Sequence, residues 1–472
     1  MALVKDFSKI AGGSFINLLI GLLTTPVITR MVSPEYYGNW SLFVIYSNVL
    51  AYIMLLGTDQ VITRYYYKYD EISYRVQLVK WCCLLPLCLI LITSVPQVLI
   101  LHYIRPSWNW LILCLFVLNT LANVFNRLLN ILLRFENKIN VLSLSIIFHK
   151  IIFVVVVVTS LYCIEGYQFK LLSFSSVIST SITTLMCLYF IGYLFYHKAE
   201  VVCVLPKREM MSYGIPLMIS GCSYLLFQTT DKLVVSHFLT ELDLGIYSSA
   251  GSLLSLFAIF QSSFTTVWWP TVMKNYNQTP ENHSIYIRAN DVACFIMLFF
   301  GFTFILFKDV IVLLLGQDYR DVVLILPFII FQPIMYTLSE TTVIGLNFKK
   351  KSNVQLCVTF AALVFNVVVN IFFTKSHGII GTSIAVGLSY IFFFALRTLA
   401  SYNYYKIRFH FLKMFVCVFI LFLFALVHSI NSNSTVLCLV SFLSYLLVFI
   451  MYRNVFFIIK DQLIIKIRNI AW

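Results

Sequence analysis

The chain has 472 residues, 60% of them hydrophobic and 11% charged, with a mean hydropathy of +0.91. A soluble domain carries about 25% charged residues, so this composition excludes a water-facing globule. The net charge of +14 does not point to nucleic acid, because the basic residues sit in short clusters between apolar runs, the pattern by which a membrane protein sets its orientation.

Roughly 20 apolar residues cross the hydrocarbon core as one helix. Such runs predict an all-α, polytopic membrane protein of about fourteen transmembrane helices, at 9–31, 39–63, 78–104, 108–134, 139–163, 171–196, 212–238, 244–272, 285–315, 322–347, 353–374, 378–405, 411–429 and 435–453. The runs are continuous rather than alternating, which argues against a β-barrel. The N-terminal stretch has no cleavage site after a short apolar core, so the first helix is read as retained. The longest polar connection, 197–212, is only a loop and leaves no room for a soluble domain. Twelve cysteines, nearly all within apolar runs and without paired spacing, read as small hydrophobes.

The loops test this count. With a cytoplasmic N-terminus, the inner clusters are Lys5/Lys9, Arg64/Lys68/Arg75/Lys80, Arg134/Lys138, Lys198/Lys207/Arg208, Lys274/Arg288, Lys349/Lys350/Lys351, Lys406/Arg408/Lys413 and Arg453/Lys460/Lys466/Arg468. The outer loops hold mostly single cations: Arg30, Arg105, Lys170, Lys308, Arg320 and Lys375. A missed helix would reverse this bias downstream, so the pattern places both termini in the cytoplasm. The tail 453–472 mixes apolar and basic residues and reads either as an interfacial helix or as a prolonged last span.

A repeat subdivides the chain. The first segment ends near Arg30 and Tyr37-Gly38-Asn39-Trp40 opens the second; the seventh ends near Phe238 and Leu244-Gly245-Ile246-Tyr247 opens the eighth. Gly38 and Gly245 thus hold the same place in two six-helix lobes, 1–200 and 201–408, followed by two extra helices and a tail, 409–472. Six spans separate the copies, so the repeat is parallel, with a central cleft suited to alternating access.

Intramembrane polar residues are the best pointers to a path, since a charge at mid-bilayer costs about 2.5–3.5 kcal/mol. Arg30, at the outer end of the first segment, is read as a headgroup contact or an outer gate. Asp59 and Arg64 are read as a local ion pair, or as a gate between lobes. In 108–134, Asn119, Asn123, Asn126, Arg127, Asn130 and Arg134 recur at steps of three and four and so share one face. Such a stripe either lines a wet groove or bonds neighbouring helices. Lys150 is either a cationic site in the lumen or half of a structural pair. Ser220, Tyr224, Gln228 and Asp231 repeat the stripe in 212–238; Asp231 and Lys232 are read as an orienting salt bridge to other helices, with Asp231 as a cation or proton site the alternative. Glu340, Arg397 and the pair Asn366/Asn370 join the same set. Trp108/Trp110 and Trp268/Trp269 fall at span ends and read as interfacial anchors.

Thr25-Pro26-Val27-Ile28-Thr29-Arg30-Met31-Val32-Ser33-Pro34, with Ala11-Gly12-Gly13-Ser14 before it, resembles the start of the polysaccharide repeat-unit flippases of Wzx type. So do Leu56-Gly57-Thr58-Asp59-Gln60, Asp231-Lys232, Trp268-Trp269-Pro270 and Gly378-Ile379-Ile380-Gly381. These belong to the multidrug/oligosaccharidyl-lipid/polysaccharide exporter superfamily. The resemblance implies a V-shaped transporter that turns an undecaprenyl-pyrophosphate-linked oligosaccharide from the inner to the outer leaflet of a bacterial cytoplasmic membrane, in a pathway with a polymerase and a chain-length regulator. The substrate contacts expected on this reading are Lys150, Arg127, Asn123, Asn119, Lys232 and Arg30; gating or ion coupling falls to Asp59, Arg64, Asp231 and Glu340. No GxxxxGK[ST] loop is present, so no cofactor is expected, and an H+ or Na+ gradient or downstream consumption supplies the drive. The alternatives are a multidrug exporter of the same superfamily, which wants acidic cavity residues, and a membrane polymerase, which usually needs a large extramembrane loop.

Overall fold

A computed structural model describes residues 20–470 apart from 22–23, 70, 197–205, 280–281 and 431–433. Most of the first segment, with Ala11–Ser14, Lys5 and Lys9, lies outside the described residues, as do Lys198 and Cys203. All regular structure among the described residues is helical. After helical turns at 24–29 come α1 (Pro34–Met54), α2 (Thr58–Tyr65), α3 (Ile72–Ile104), α4 (Trp110–Phe135), α5 (Ile139–Cys163), α6 (Gln168–Ile191), α7 (Tyr193–Tyr196), α8 (Lys207–Phe238) and α9 (Glu241–Leu253). The chain continues with α10 (Ser255–Gln278), α11 (Ser284–Leu306), α12 (Lys308–Val312), α13 (Val322–Ile329), α14 (Phe331–Thr342), α15 (Ile344–Phe348), α16 (Ser352–Tyr404), α17 (Phe411–Ile430) and α18 (Ser434–Ile470).

Ten of the described helices are long and apolar enough to cross a membrane, and the bent pair α1–α2 brings the number to eleven. α16 has 53 residues. At 1.5 Å per residue it would be about 80 Å long, far beyond a hydrocarbon core of about 30 Å. It breaks at Gly378, whose φ of 60° and ψ of −142° no other residue type adopts readily, so it makes two crossings, divided where the sequence places the boundary. The expected span 244–272 is instead α9 and α10, parted at Leu254, and neither meets the length and apolarity that mark the other spans; Gln261, Ser262, Thr265 and Pro270 dilute its hydropathy. The last helix kinks at Tyr452, one residue before the basic tail begins.

Packing groups the chain into two compact units: residues up to Ser236 with Thr240–Ser248, and His237–Leu239 with Ser249 onward. α8 therefore packs with the first unit as far as Ser236, whereas the repeat places it after the boundary at 200/201; the repeat follows helix order and the unit follows contacts.

In the first unit, α4 is the central post, packed on α1, α3 and α6. Its core joins Val61, Ile62 and Tyr66 to Val79, Cys82, Leu128, Leu132 and Leu194. In the second unit α16 packs on α13 and α14, and a core of Trp268, Val272, Tyr286, Ile344 and Phe348 forms around α10 and α15. Trp108 and Trp268 are buried, so the interfacial role expected of them is corrected. The indole of Trp268 donates to the Glu340 carbonyl (3.2 Å) and that of Trp269 to the Glu340 carboxylate (3.2 Å); an N–H with an interior acceptor has no need of the interface. Trp110 alone of the four is well exposed.

Candidate functional site: a polar cavity beside the central post

The cavity begins with a break in the second span. Leu56 and Gly57 both have positive φ (46° and 79°), and the chain turns by 53° between α1 and α2. Gly57 is needed twice over: its backbone is left-handed, and a Cβ there would collide with the Gly214 carbonyl of α8. The turn places Asp59 at the second position of α2, where the helix dipole favours a carboxylate.

Asp59 is 3% exposed, and its Oδ2 accepts three donors: Arg127 Nε at 3.1 Å, Arg127 Nη2 at 2.9 Å and Gln60 Nε2 at 3.1 Å. The local pair with Arg64 expected from the sequence does not form. Five residues along a helix put two side chains about 140° apart, so Asp59 turns inward while Arg64 stacks 4.2 Å from the Tyr213 ring centroid. Arg127 lies 4.5 Å from the Tyr52 ring centroid and is 43% exposed. Its Nη1 has no carboxylate partner among the described residues.

Around this pair is a cavity of about 800 Å³. α1 supplies Asn48 and Tyr52, α2 supplies Asp59, Gln60 and Thr63, α4 supplies Asn123, Asn126, Arg127, Asn130 and Arg134, and α8 supplies Gly221, Tyr224 and Gln228. It runs toward the end of the bundle where α2 and α4 finish and α8 starts. A Cβ at Gly221 would overlap the Tyr52 hydroxyl, so any larger residue there displaces that ring. Two arginines and one aspartate leave the lining with a single net positive charge.

The α4 stripe serves both purposes that its spacing left open. Asn119 is buried and donates to Ser47 Oγ (2.8 Å), a bond between helices that lies off the cavity. Asn123 donates to the same hydroxyl (3.2 Å) and also lines the cavity. Asn126 reaches Thr183 and Thr184 at 3.3 Å and accepts from Asn130 at 2.8 Å, so these amides are held in place while facing the space.

Of the ten residues expected to contact substrate, to gate or to couple ions, the cavity brings together Asn123, Arg127 and Asp59. Lys150 on α5, exposed Arg30 and Arg64 do not line it. Lys232 lies one turn beyond Gln228 on the same face of α8, past the last lining residue. Asp231 is buried and accepts from the Tyr247 hydroxyl at 2.8 Å; the salt bridge expected of Asp231 and Lys232 is absent among the described residues. The neutral Tyr247 hydroxyl from α9 takes the place of a cation instead. Glu340, in the second unit, forms a buried pair with Arg397 at 2.8 Å, and Asn370 donates to the Asn366 carbonyl at 2.9 Å. Tyr52, Gln60, Thr63 and Asn48 were not singled out from the sequence; the three-residue step from Gln60 to Thr63 was the available signal.

The two repeat glycines lie against each other, Gly38 on the backbone of Gly245. Beside them the Glu241 carboxylate takes the Asn39 amide and lies 4.0 Å from Arg105, whose Nη2 donates to the Ser236 carbonyl at 3.1 Å. These contacts join the ends of α3 and α8 to the starts of α1 and α9, opposite the mouth of the cavity.

Comparison with known proteins places this architecture. A curated "probable low-salt glycan biosynthesis flippase" of Haloferax volcanii is 20% identical over 202 residues, and the chain spans 42% of that relative's length. A lipid II flippase, MurJ, in an inward closed conformation superposes with a TM-score of 0.70 at 16% identity, over 95% of this chain and 99% of that one. An inward-facing multidrug resistance MATE family transporter of the MOP superfamily gives 0.58 at 16% identity, over 87% and 95%. At these identities the two structures establish the fold. Residues 3–276, more than half of the chain, match the family described as polysaccharide biosynthesis protein, and this multi-pass membrane protein belongs to that family.

Proposed function

We propose that the protein is a flippase that moves a polyprenyl-pyrophosphate-linked oligosaccharide from the cytoplasmic to the outer leaflet of a bacterial inner membrane during polysaccharide assembly, ahead of a polymerase and a chain-length regulator. The observation that carries this reading is the cavity: amide and hydroxyl groups from four helices around an arginine anchored to a buried carboxylate. Sugars need many hydrogen-bond partners and a pyrophosphate needs a cation, and neither crosses hydrocarbon unaided. Arg64, Lys68, Arg75, Lys138, Lys207 and Arg208 flank the end where the mouth lies, and the positive-inside rule assigns that end to the cytoplasm, where the lipid-linked unit is made. The polyprenyl tail remains in lipid while the head enters the cavity.

An incoming phosphate competes with Asp59 for Arg127. Once released, the Asp59 carboxylate takes up H+ or Na+, which is how a gradient would couple to the step. Family membership and the likeness to a lipid flippase support this reading. The test is reconstitution in liposomes with a labelled lipid-linked oligosaccharide, scoring access to an external lectin. Translocation by the wild type and its loss in Arg127→Gln are expected. Efflux of organic cations without lipid translocation would assign the chain to drug export and overturn the reading.

A further inference from the structure

Arg134 is the second cation in the lining of the polar cavity, seven residues beyond Arg127 on α4. Seven residues make almost two turns, so both side chains leave one face of the helix about 10.5 Å apart along its axis. Arg127 lies toward the interior and Arg134 at the mouth, next to the last residue of α4. The two are held differently. Arg127 is pinned through Nε and Nη2 to Asp59. Arg134 is exposed, and its guanidinium has no ion pair or hydrogen bond among the described residues. Two acids at this end are already taken: Glu136 by the hydroxyls of Tyr66 and Tyr193, and Glu209 by that of Tyr65 at 2.9 Å. Two neighbouring cations are taken as well, Lys138 by the Phe190 carbonyl at 2.6 Å and Arg64 by the Tyr213 ring. The opposite face of α4 carries Phe125 and Leu129 against an apolar hollow that reaches Leu185 of α6, whereas Arg134 lies on the cavity side. Between the arginines, one turn from each, Asn130 uses one N–H on Asn126 Oδ1 at 2.8 Å. Its second N–H has no partner among the described residues.

We propose that Arg134 is the second phosphate contact of the cavity and makes it selective for a diphosphate over a monophosphate linkage between lipid and saccharide. The inference rests on the transport reading, which brings one phosphate to Arg127. A second phosphate, joined to the first through one bridging oxygen, extends along α4 toward the mouth. There Arg134 meets it on a long, unpinned stem, with a planar fork that matches phosphate oxygens. The free N–H of Asn130 faces the bridge between them. The charges balance as well. A diphosphate diester carries two negative charges and a monophosphate diester carries one. With Asp59 neutralised by H+ or Na+, the lining offers two guanidiniums, one for each charge. A monophosphate at Arg127 leaves Arg134 in water without a counter-charge, so Arg134 adds affinity for the diphosphate alone.

The test is a binding measurement that needs no translocation. The full chain in detergent is titrated calorimetrically with farnesyl diphosphate or farnesyl monophosphate, two probes that differ by one phosphate. Wild type binds the diphosphate about tenfold more tightly, the effect of one further charge-assisted contact. Arg134→Gln lowers the diphosphate affinity to that of the monophosphate and leaves the monophosphate affinity unchanged. Arg134→Lys keeps about a threefold preference, because a point charge replaces the fork. Arg134 is exposed at the end of its helix, so neither substitution touches the core. Equal affinity of wild type for the two probes, or an equal loss for both in Arg134→Gln, overturns the proposal. Liposomes charged with the labelled lipid-linked oligosaccharide keep the two readings apart. A preference that Arg134→Gln abolishes, in a chain that translocates nothing, would leave the phosphate site and remove the flippase. Translocation by a wild type that binds both probes equally would do the reverse.

Discussion

The Asp59–Arg127 pair yields an ordered set of stabilities. Asp59 is 3% exposed and Arg127 is 43% exposed, so the two partners do not depend equally on each other. Arg127→Gln leaves a dry carboxylate with only the Gln60 amide, at 3.1 Å, from its three donors. Breaking a fully buried pair costs about 3–5 kcal/mol and an exposed one about 0.2–1 kcal/mol. With one partner dry, one half wet and the α2 dipole assisting the anion, the cost of Arg127→Gln is about 2–3 kcal/mol. Asp59→Asn keeps the shape and leaves a guanidinium that water reaches, for about 1 kcal/mol. The double variant removes both charges and costs about 1 kcal/mol as well, less than the sum of the singles. Thermal unfolding in detergent reads the order: Arg127→Gln melts lowest, with Asp59→Asn and the double variant above it. Translocation separates the roles, because the double variant regains stability and still lacks the guanidinium that receives phosphate. A double variant that melts below Arg127→Gln, or Asp59→Asn as the least stable of the three, refutes the reasoning.

Gly221→Ala pushes Tyr52 from its place beneath Arg127; the folded protein survives, at about 1 kcal/mol, while translocation falls strongly, and wild-type rates in this variant would show that the contact is incidental. Lys150→Ala retains most of the transport activity, because Lys150 does not line the cavity; complete loss in a correctly inserted variant would place it on the path. Glu340→Gln removes the charge opposite Arg397, itself 15% exposed, leaving the guanidinium with only neutral acceptors such as the Ser339 hydroxyl at 2.7 Å, and lowers detergent stability by about 3 kcal/mol; Glu340→Ala with Arg397→Leu recovers part of that loss in the same melting assay.

Periodicity carried a good part of this fold and site. The division of α16 at Gly378 was readable because Lys375-Ser376-His377 interrupt an otherwise continuous apolar run, and the structure breaks the helix right after them. Steps of three and four marked the α4 stripe, and four of its six members other than Asn119 and Arg127 line the cavity with Arg127. Spacing could not say which groups meet across the bundle. Asp59 finds Arg127 across 68 positions of chain rather than Arg64 five residues away, because the break at Gly57 turns the carboxylate inward. Composition likewise could not distinguish a tryptophan at the interface from one folded onto a carbonyl, and Trp108 and Trp268 went inside. Lys150 stood out as an isolated cation in an apolar run, but isolation in sequence does not state a direction in space.

The central claim is that the space bounded by α1, α2, α4 and α8 receives the saccharide head. Photo-crosslinking tests it most directly: benzoylphenylalanine is placed at Asn123, in the cavity, or at Leu185, in the hollow beyond α4, and membranes are charged with a labelled lipid-linked oligosaccharide. The account predicts labelling through the saccharide at position 123 and none at position 185. Saccharide label at 185, with position 123 silent, would contradict it.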